Sequence, residues 1–244
     1  MLACAAGLQA AELQIAAAAD LEYALRDVAH AFERQTGATV RLSFAASGNL
    51  TAQIENGAPF DLFFSADEEY PKKLVRDGLV DPGTLYPYAI GKLVLWVRND
   101  SKLDISRGWI VLEDRGVKSI AIADPAHAPY GRIALAALKS QKVYEQIRSK
   151  LVYGENIAQT AQFVASGNAD AGLLALSLAL SPMLNGQGKY FVIPSSDYPA
   201  LIQSACILRS SQNRMLARRF LDFLQSPSAA AVMQRYGFET SKLP

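Results

Sequence analysis

Four short clusters of small or polar residues each follow a strand-like pattern and precede a helix-like one. They are Ala19-Asp20, Ala46-Ser47-Gly48, Pro129-Tyr130-Gly131 and Glu155-Asn156-Ile157. The first turn of a helix exposes backbone N–H groups that have no acceptor within the helix, together with a partial positive charge, so it binds anions without lysine or arginine. One such turn is ordinary capping, but four of them, divided between the two halves of the chain, predict a cleft that holds an anion from both sides.

Strand and helix patterns alternate from Leu13 onward, which is typical of an α/β protein with mostly parallel sheets. The segment LQIAAAA is the first predicted strand. The helix after it has apolar residues at helical spacing, namely Leu21, Ala24, Leu25, Val28 and Phe32. Asp20 is the predicted N-cap of this helix, and Gly37 its end. Ligands bind at the carboxyl ends of the strands in such sheets, which is where the four clusters fall.

The chain has 244 residues, enough for two lobes, yet no segment rich in proline, glycine or serine separates them. Two lobes would therefore be joined by strands that cross between them, near residue 92 in IGKLVLWV and near residue 205 in QSACILR. We expect lobe I to contain residues 12–91 and 205–244, and lobe II to contain residues 92–204.

Composition excludes several classes of function. The chain has 24 lysines and arginines against 23 aspartates and glutamates and a formal net charge of +1, so neither nucleic acid nor an anionic membrane is an expected partner. Two cysteines, Cys4 and Cys206, are too few for a metal cluster or a disulfide framework. The longest apolar run, residues 171–180, has about half the length of a membrane span. We therefore expect a soluble mature chain.

The N-terminal segment MLACAAGLQAA is small and apolar, like the end of a secretory signal. We expect cleavage after Ala10 or Ala11, which makes residues 1–11 the remnant of a signal peptide. Export of the mature chain follows from this interpretation, and Cys206 would then be unpaired.

Enzyme motifs are missing, since the sequence has no GxSxG elbow, no HExxH pair, no P-loop and no GxGxxG after the first strand. Ser47, His127 and Tyr130 could serve a hydrolase, but no third orienting residue accompanies them by motif. We therefore expect a protein that is not an enzyme, with a small-molecule hydrolase as the alternative from another class. The effector domain of a transcription factor is disfavoured because no helix-turn-helix pattern precedes Leu13.

Five segments carry a resemblance to a known family: ELQIAAAADLEYAL, SFAASGNLTAQIENGAPFDLFFSAD, AIGKLVLWV, ADPAHAPYGRIA and FVASGNADAGLLAL. They resemble the periplasmic molybdate-binding proteins of ABC importers, a type II class of periplasmic solute-binding protein. The resemblance implies a two-lobed α/β fold, each lobe a mostly parallel sheet flanked by helices, which closes around molybdate or tungstate in the cleft between the lobes. It also implies a periplasmic location, with a membrane anchor if the precursor is lipid-modified, and a membrane permease as partner. We expect a monomer without a cofactor.

Carried over by position, the resemblance places the anion against Ser47, Tyr130 and Ile157. Ser47 would donate its hydroxyl and its amide, and the other two residues their backbone N–H groups. The molybdenum would be held through its oxygens, with no direct bond from the protein to the metal. The position after the first strand, which in the family usually carries a hydroxyl or an amide, falls on Ala19 followed by Asp20, and here the sequence departs from the family pattern.

An ionised Asp20 aimed at a dianion in a dry cleft would cost several kcal/mol. We prefer the interpretation that Asp20 caps the first helix, so that its own amide or that of Leu21 serves the anion. In the alternative, Asp20 accepts a hydrogen bond from a protonated anion such as hydrogen phosphate or arsenate, which would change the specificity. Sulfate is a further tetrahedral anion that the same fold could bind.

Overall fold

The chain forms ten strands and nine α-helices within residues 12–240, the part that this computed structural model describes. The strands are β1 (Glu12–Ala18), β2 (Thr39–Ala45), β3 (Leu62–Ser65), β4 (Tyr86–Gly91), β5 (Leu93–Arg98), β6 (Ile120–Ala123), β7 (Leu151–Gly154), β8 (Ala171–Ala175), β9 (Gly188–Val192) and β10 (Leu201–Ile207). The helices are α1 (Glu22–Thr36), α2 (Ser47–Glu55), α3 (Glu69–Arg76), α4 (Pro129–Ser140), α5 (Tyr144–Ile147), α6 (Ile157–Ala165), α7 (Leu176–Ala179), α8 (Arg214–Leu224) and α9 (Pro227–Arg235). The expected signal remnant with Cys4, and residues 241–244 of expected lobe I, lie outside the described residues.

The strands form two five-stranded sheets, one in each lobe. The first sheet has the order β2-β1-β3-β10-β4 and the second the order β7-β6-β8-β5-β9. Three neighbouring strands are parallel in each sheet, and the other two pairings are antiparallel. The two-lobed α/β fold is thus confirmed. The sheets are mixed rather than mostly parallel because β5 and β10, the strands that follow the two crossings between lobes, run against their neighbours.

The chain crosses between the two sheets at two places. β4 ends at Gly91 and β5 begins in the other sheet at Leu93. The return lies between the end of β9 at Val192 and the start of β10 at Leu201. The expected boundary at residue 205 falls inside β10, whose pairing with β3 and β4 assigns it wholly to the first sheet. The return crossing therefore precedes Leu201. The boundary expected from the sequence was too late because the apolar pattern of QSACILR covers only the later part of this strand.

Helix α1 shows how the sheets are covered. Its apolar face lies against the first sheet, where Phe32 packs edge-on against Phe220 of α8 with ring centroids 5.0 Å apart. Burial of a side chain of this size stabilises the fold by about 1.5–3 kcal/mol. The helix ends at Gly37, whose φ of 71° lies in the left-handed region that favours glycine. Within residues 12–240, none of the helices has both the length and the apolarity to cross a bilayer.

Candidate anion-binding site

A small cavity of about 10 Å³ lies between the two lobes. It is lined by Ala18, Ala19, Asp20, Ala45, Ala46, Ser47, Ala66, Ala128, Pro129, Tyr130, Asn156 and Ile157. All five residues singled out from the sequence are in this lining, so the fold brings together positions up to 138 residues apart, from 19 to 157. Half of the lining residues are alanines, which let the backbone approach a ligand closely. Within residues 12–240 the lining contains no lysine or arginine, so an anion here would be met by backbone and hydroxyl dipoles.

Three helices begin at the cavity, and local contacts decide which N–H group of each remains for a ligand. In α6, the side chain of Asn156 accepts hydrogen bonds from the amides of Ala158 and Gln159, both at 3.0 Å, so Ile157 supplies the first-turn N–H that this cap does not use. Helix α4 begins with Pro129, which has no N–H, so that of Tyr130 is the first. These are the two backbone donors that the sequence resemblance assigns to lobe II.

Ser47 begins α2 and presents a hydroxyl whose orientation is fixed. Its side chain is fully buried, and its Oγ accepts a hydrogen bond from the amide of Ala66 at 3.0 Å. That contact uses an oxygen lone pair and leaves the hydroxyl hydrogen for another acceptor. The amide of Gly48 donates to the carbonyl of His127 at 2.9 Å, so the Ser47 N–H remains as the first donor of this helix. Ser47 therefore offers two donors from lobe I.

The side chain of Tyr130 connects the lobes. Its buried Oη accepts a hydrogen bond at 3.2 Å from Nε2 of Gln203, which lies on β10 in the first sheet. Burial raises the pKa of Tyr130 well above 10, so the hydroxyl stays neutral. A Cβ at Gly91 would lie 2.5 Å from Tyr130 Oη and 2.6 Å from Gln203 Nε2, which explains the glycine at this crossing.

Asp20 does not cap α1, and the preferred interpretation of its side chain is wrong. The residues Ala19–Leu21 form a 3-10 turn, α1 begins only at Glu22, and no side chain caps either helix. The amide of Glu22 donates to the carbonyl of Ala19, so the 3-10 turn itself satisfies the N–H that a cap would serve. The Asp20 carboxyl instead lies in the interior, where Oδ2 accepts a hydrogen bond from Gln203 Nε2 at 2.7 Å and Oδ1 has no hydrogen-bond partner among the described residues.

Burial controls the charge of Asp20, whose residue exposure is 1%. Loss of hydration raises the pKa of this carboxyl to about 7, although hydrogen bonds from Gln203 and Tyr130 act in the opposite direction. Neutral and ionised Asp20 are thus close in free energy near neutral pH.

A set of polar contacts holds the lobes together around the cavity. Arg132 of α4 forms an ion pair with Asp67 of lobe I, and its guanidinium also donates to Tyr70 Oη at 3.1 Å. Ser177 Oγ donates to the backbone carbonyl of Asp20 at 2.7 Å. Together with the bond from Gly48 to His127, these contacts describe a closed cleft.

The sequence patterns did not indicate Gln203, Ser177, Arg132 or Asp67 as residues of the site. In the structure Asp67 is buried, accepts a hydrogen bond from the amide of Tyr70 at 3.2 Å and pairs with Arg132. The signal is absent from the sequence because the partners are 65 to 183 residues apart. Only the fold brings them into contact.

The arrangement suits binding of an oxyanion better than catalysis. His127 contributes its backbone carbonyl to the contact with Gly48. Within residues 12–240, no group of three or more histidine, cysteine, aspartate or glutamate side chains is placed to hold a metal ion. What the cavity offers is a shell of neutral donors from both lobes, with one buried carboxyl at its edge.

Comparisons with known proteins agree with this geometry. Residues 13–239 match the family described as bacterial extracellular solute-binding proteins. The molybdate-binding protein ModA of Azotobacter vinelandii is 40% identical over 98% of this chain and 93% of its own length, and ModA of Rhodobacter capsulatus is 36% identical over 95% and 89%. The solved structure of the Azotobacter vinelandii periplasmic molybdate-binding protein superposes with a TM-score of 0.88 at 34% identity, over 95% of this chain and 99% of that one. The chain therefore belongs to the family of bacterial extracellular solute-binding proteins.

Proposed function

We propose that this protein captures molybdate, and with it tungstate, by closure of its two lobes and delivers the anion to the membrane permease of an ABC importer. The observation that carries the proposal is the convergence of helix N-termini from both lobes on one cavity without a lysine or an arginine. The similarity to two molybdate-binding proteins supports molybdate as the anion. The protein would work as a periplasmic monomer, without a cofactor and without catalysis.

In this mechanism the anion first contacts one lobe, and the donors of the other complete its shell as the hinge closes. Ser47 donates through its hydroxyl and amide from lobe I, while Tyr130 and Ile157 donate through backbone N–H groups from lobe II. The backbone at Ala19 and Asp20 borders the remaining side. Each bond is charge-assisted and about twice as strong as a bond between neutral groups. All contacts are to oxygen, so no protein atom bonds to molybdenum.

Anion size supplies the selectivity. Molybdate and tungstate have longer metal–oxygen bonds than the sulfur–oxygen bonds of sulfate, so a cavity set for the larger ions leaves sulfate with long, weak hydrogen bonds. Molybdate and tungstate are nearly equal in size, and we expect only weak discrimination between them.

A second candidate rests on the buried Oδ1 of Asp20, which has no hydrogen-bond partner. As a carboxylate oxygen it would accept a hydrogen bond from hydrogen phosphate or hydrogen arsenate. Such an acceptor would reject a fully deprotonated anion.

Thermal unfolding of the ligand-stripped protein tests the two candidates together. Molybdate, tungstate, sulfate, phosphate and arsenate are compared at one concentration. A ligand at 100 times its Kd adds about 2.7 kcal/mol to the free energy of unfolding, and each kcal/mol raises the Tm by roughly 2–4 °C at this chain length. We expect increases with molybdate and tungstate alone. Increases with phosphate and arsenate alone would favour the second candidate and contradict the first.

A further inference from the structure

Among residues 12–240, Asp20 supplies the one carboxyl group in the lining of the cavity, and its pKa of about 7 lies in the neutral range. Its two oxygens differ in their surroundings. Oδ2 accepts the hydrogen bond from Gln203 Nε2 at 2.7 Å, whereas Oδ1 is buried without a partner. A buried oxygen of this kind is costly unless a ligand or a proton satisfies it.

The contacts of Gln203 determine which oxygen of Asp20 can carry a proton. Gln203 Oε1 lies 2.7 Å from the hydroxyl of Tyr88, which donates to it, so the amide nitrogen is the atom that faces Asp20. Because Gln203 Nε2 donates to Oδ2, that oxygen acts as the acceptor. A proton on the carboxyl therefore belongs on Oδ1, on the side without a protein partner.

We propose that Asp20 binds the oxyanion as a neutral carboxylic acid whose Oδ1–H donates a hydrogen bond to an anion oxygen, so that binding takes up one proton from solvent. This inference rests on the proposed function and adds to it the role of the residue at which the chain departs from its family's pattern. A protonated carboxyl supplies the donor that a hydroxyl or an amide supplies elsewhere in the family.

The side chains that face Asp20 carry no positive charge, so burial decides its protonation against the weaker opposing effect of their hydrogen bonds. They are Tyr130 from α4, Tyr88 from β4 and Gln203 from β10, all uncharged, with Ser177 from α7 on its backbone carbonyl. In the described part of the chain, no lysine, arginine or histidine is hydrogen-bonded to the Asp20 carboxyl. The nearby carboxylate of Asp67 is paired with Arg132. Burial raises the pKa of Asp20 to about 7 before any anion is considered, and a bound dianion would raise it further.

The direction of the pH dependence follows from this chemistry. Only the protonated form of Asp20 donates, so affinity is highest below the pKa of Asp20 in the free protein and falls as the pH rises through it. Above that pKa, each pH unit weakens binding about tenfold, and proton uptake approaches one per anion. Tyr88 and Tyr130 stay neutral throughout this range because burial raises the pKa of each well above 10.

Calorimetric titration with molybdate between about pH 6 and pH 9 tests the inference, since molybdate remains a dianion there. Each titration is repeated in two buffers with different enthalpies of ionisation, which gives the number of protons taken up by the wild-type protein. The variant Asp20→Asn carries an amide that donates at every pH, and Asp222→Asn on the exposed face of α8 is the matched control.

We expect the wild type and Asp222→Asn to take up close to one proton at the alkaline end and to lose affinity there, and Asp20→Asn to take up none and to keep a flat profile. Wild-type binding without proton uptake would overturn the inference and leave the proposed function standing. If the wild-type protein binds phosphate instead of molybdate, and takes up no proton when it does so, the inference is also overturned. If neither the wild-type protein nor either variant binds molybdate at any pH, the proposed function itself is wrong.

Discussion

Ser47 is the proposed donor whose side-chain orientation the structure explains. The amide of Ala66 occupies one lone pair of its Oγ at 3.0 Å, and the fully buried position excludes water. The hydroxyl hydrogen is therefore available for the anion at little cost in entropy, because the rotor is already oriented. Asp20, the other polar side chain singled out for the site, differs because its contribution depends on pH.

The substitution Ser47→Ala should weaken molybdate binding by about 1.5–3 kcal/mol, the range for a hydrogen bond to a charged group. Titration calorimetry measures the change, and Ser210→Ala, at an exposed loop position, is the control. The loss of Oγ also leaves the Ala66 amide without its acceptor, so the free energy of unfolding must be measured without ligand. Unchanged affinity in a folded Ser47→Ala protein would remove the hydroxyl from the site.

At the scale of elements, the site depends on where helices begin rather than on charged side chains. Helices α2, α4 and α6 follow the carboxyl ends of their preceding strands. Pro129 opens α4 and the side chain of Asn156 caps α6, whereas α2 has no side-chain cap. The strands before them are held in their sheets by parallel pairing, β2 with β1 and β6 with β7, which limits the freedom of these N–H groups. Such preorganised dipoles bind an anion without the desolvation cost of a buried lysine or arginine.

Gly48, in the first turn of α2, lies at a close contact between the two lobes. A Cβ at this position would lie 2.6 Å from Tyr70 Oη and 2.9 Å from the carbonyl of His127, which belongs to the other lobe. We expect Gly48→Ala to oppose closure and to weaken molybdate binding by about 1–3 kcal/mol, or 5- to 150-fold. Calorimetry gives the affinity, and small-angle scattering shows whether molybdate still makes the protein more compact.

Gly83→Ala is the control for this prediction, since its Cβ would meet only Asp81 Oδ1 at 3.7 Å. The thermal stability of ligand-free Gly48→Ala should stay close to that of the wild type, because Tyr70 Oη ends a side chain that can turn away and the clash with the His127 backbone exists only when the lobes meet. Equal affinity and equal compaction in Gly48→Ala would show that the lobes do not approach here on binding.

At the scale of the whole molecule, the two lobes meet through polar contacts around the cavity. One of these contacts is the ion pair between Arg132 and Asp67, whose side chains are 40% and 10% exposed. The guanidinium also lies over the ring of Tyr70, 5.2 Å from its centroid. Contacts of this kind form when the lobes close and are replaced by water when they separate, so they bias the equilibrium between the two states.

Arg132→Gln should weaken molybdate binding about tenfold, because closure would then bury Asp67 without its cation. Wild-type affinity should fall as ionic strength rises, and the variant should respond less. Titrations at two salt concentrations measure both effects. Arg218→Gln removes an exposed pair on α8 and should change affinity little. An Arg132→Gln protein with wild-type affinity would exclude a role for this pair in closure.

The resemblance to a known family supplied the two-lobed arrangement and the positions expected to contact the anion. The sequence by itself determined the α/β class, most of the strands and helices, and the four turns that meet at the cavity. It could do so because hydrophobic periodicity, N-caps such as Asn156 and helix ends such as Gly37 are local signals. The sequence also identified Asp20 as the position at which the chain departs from the family pattern. No local signal predicted the orientation of its side chain.

Only the tertiary structure decided the orientation of the Asp20 carboxyl, the pairing of Arg132 with Asp67 and the place of β10 in the first sheet. Each depends on a contact between residues far apart in the chain, such as the 183 residues between Asp20 and Gln203. A sequence pattern predicts on which face of its own helix or strand a residue lies. Burial, and with it the charge of Asp20, is set by what the other elements place against that face.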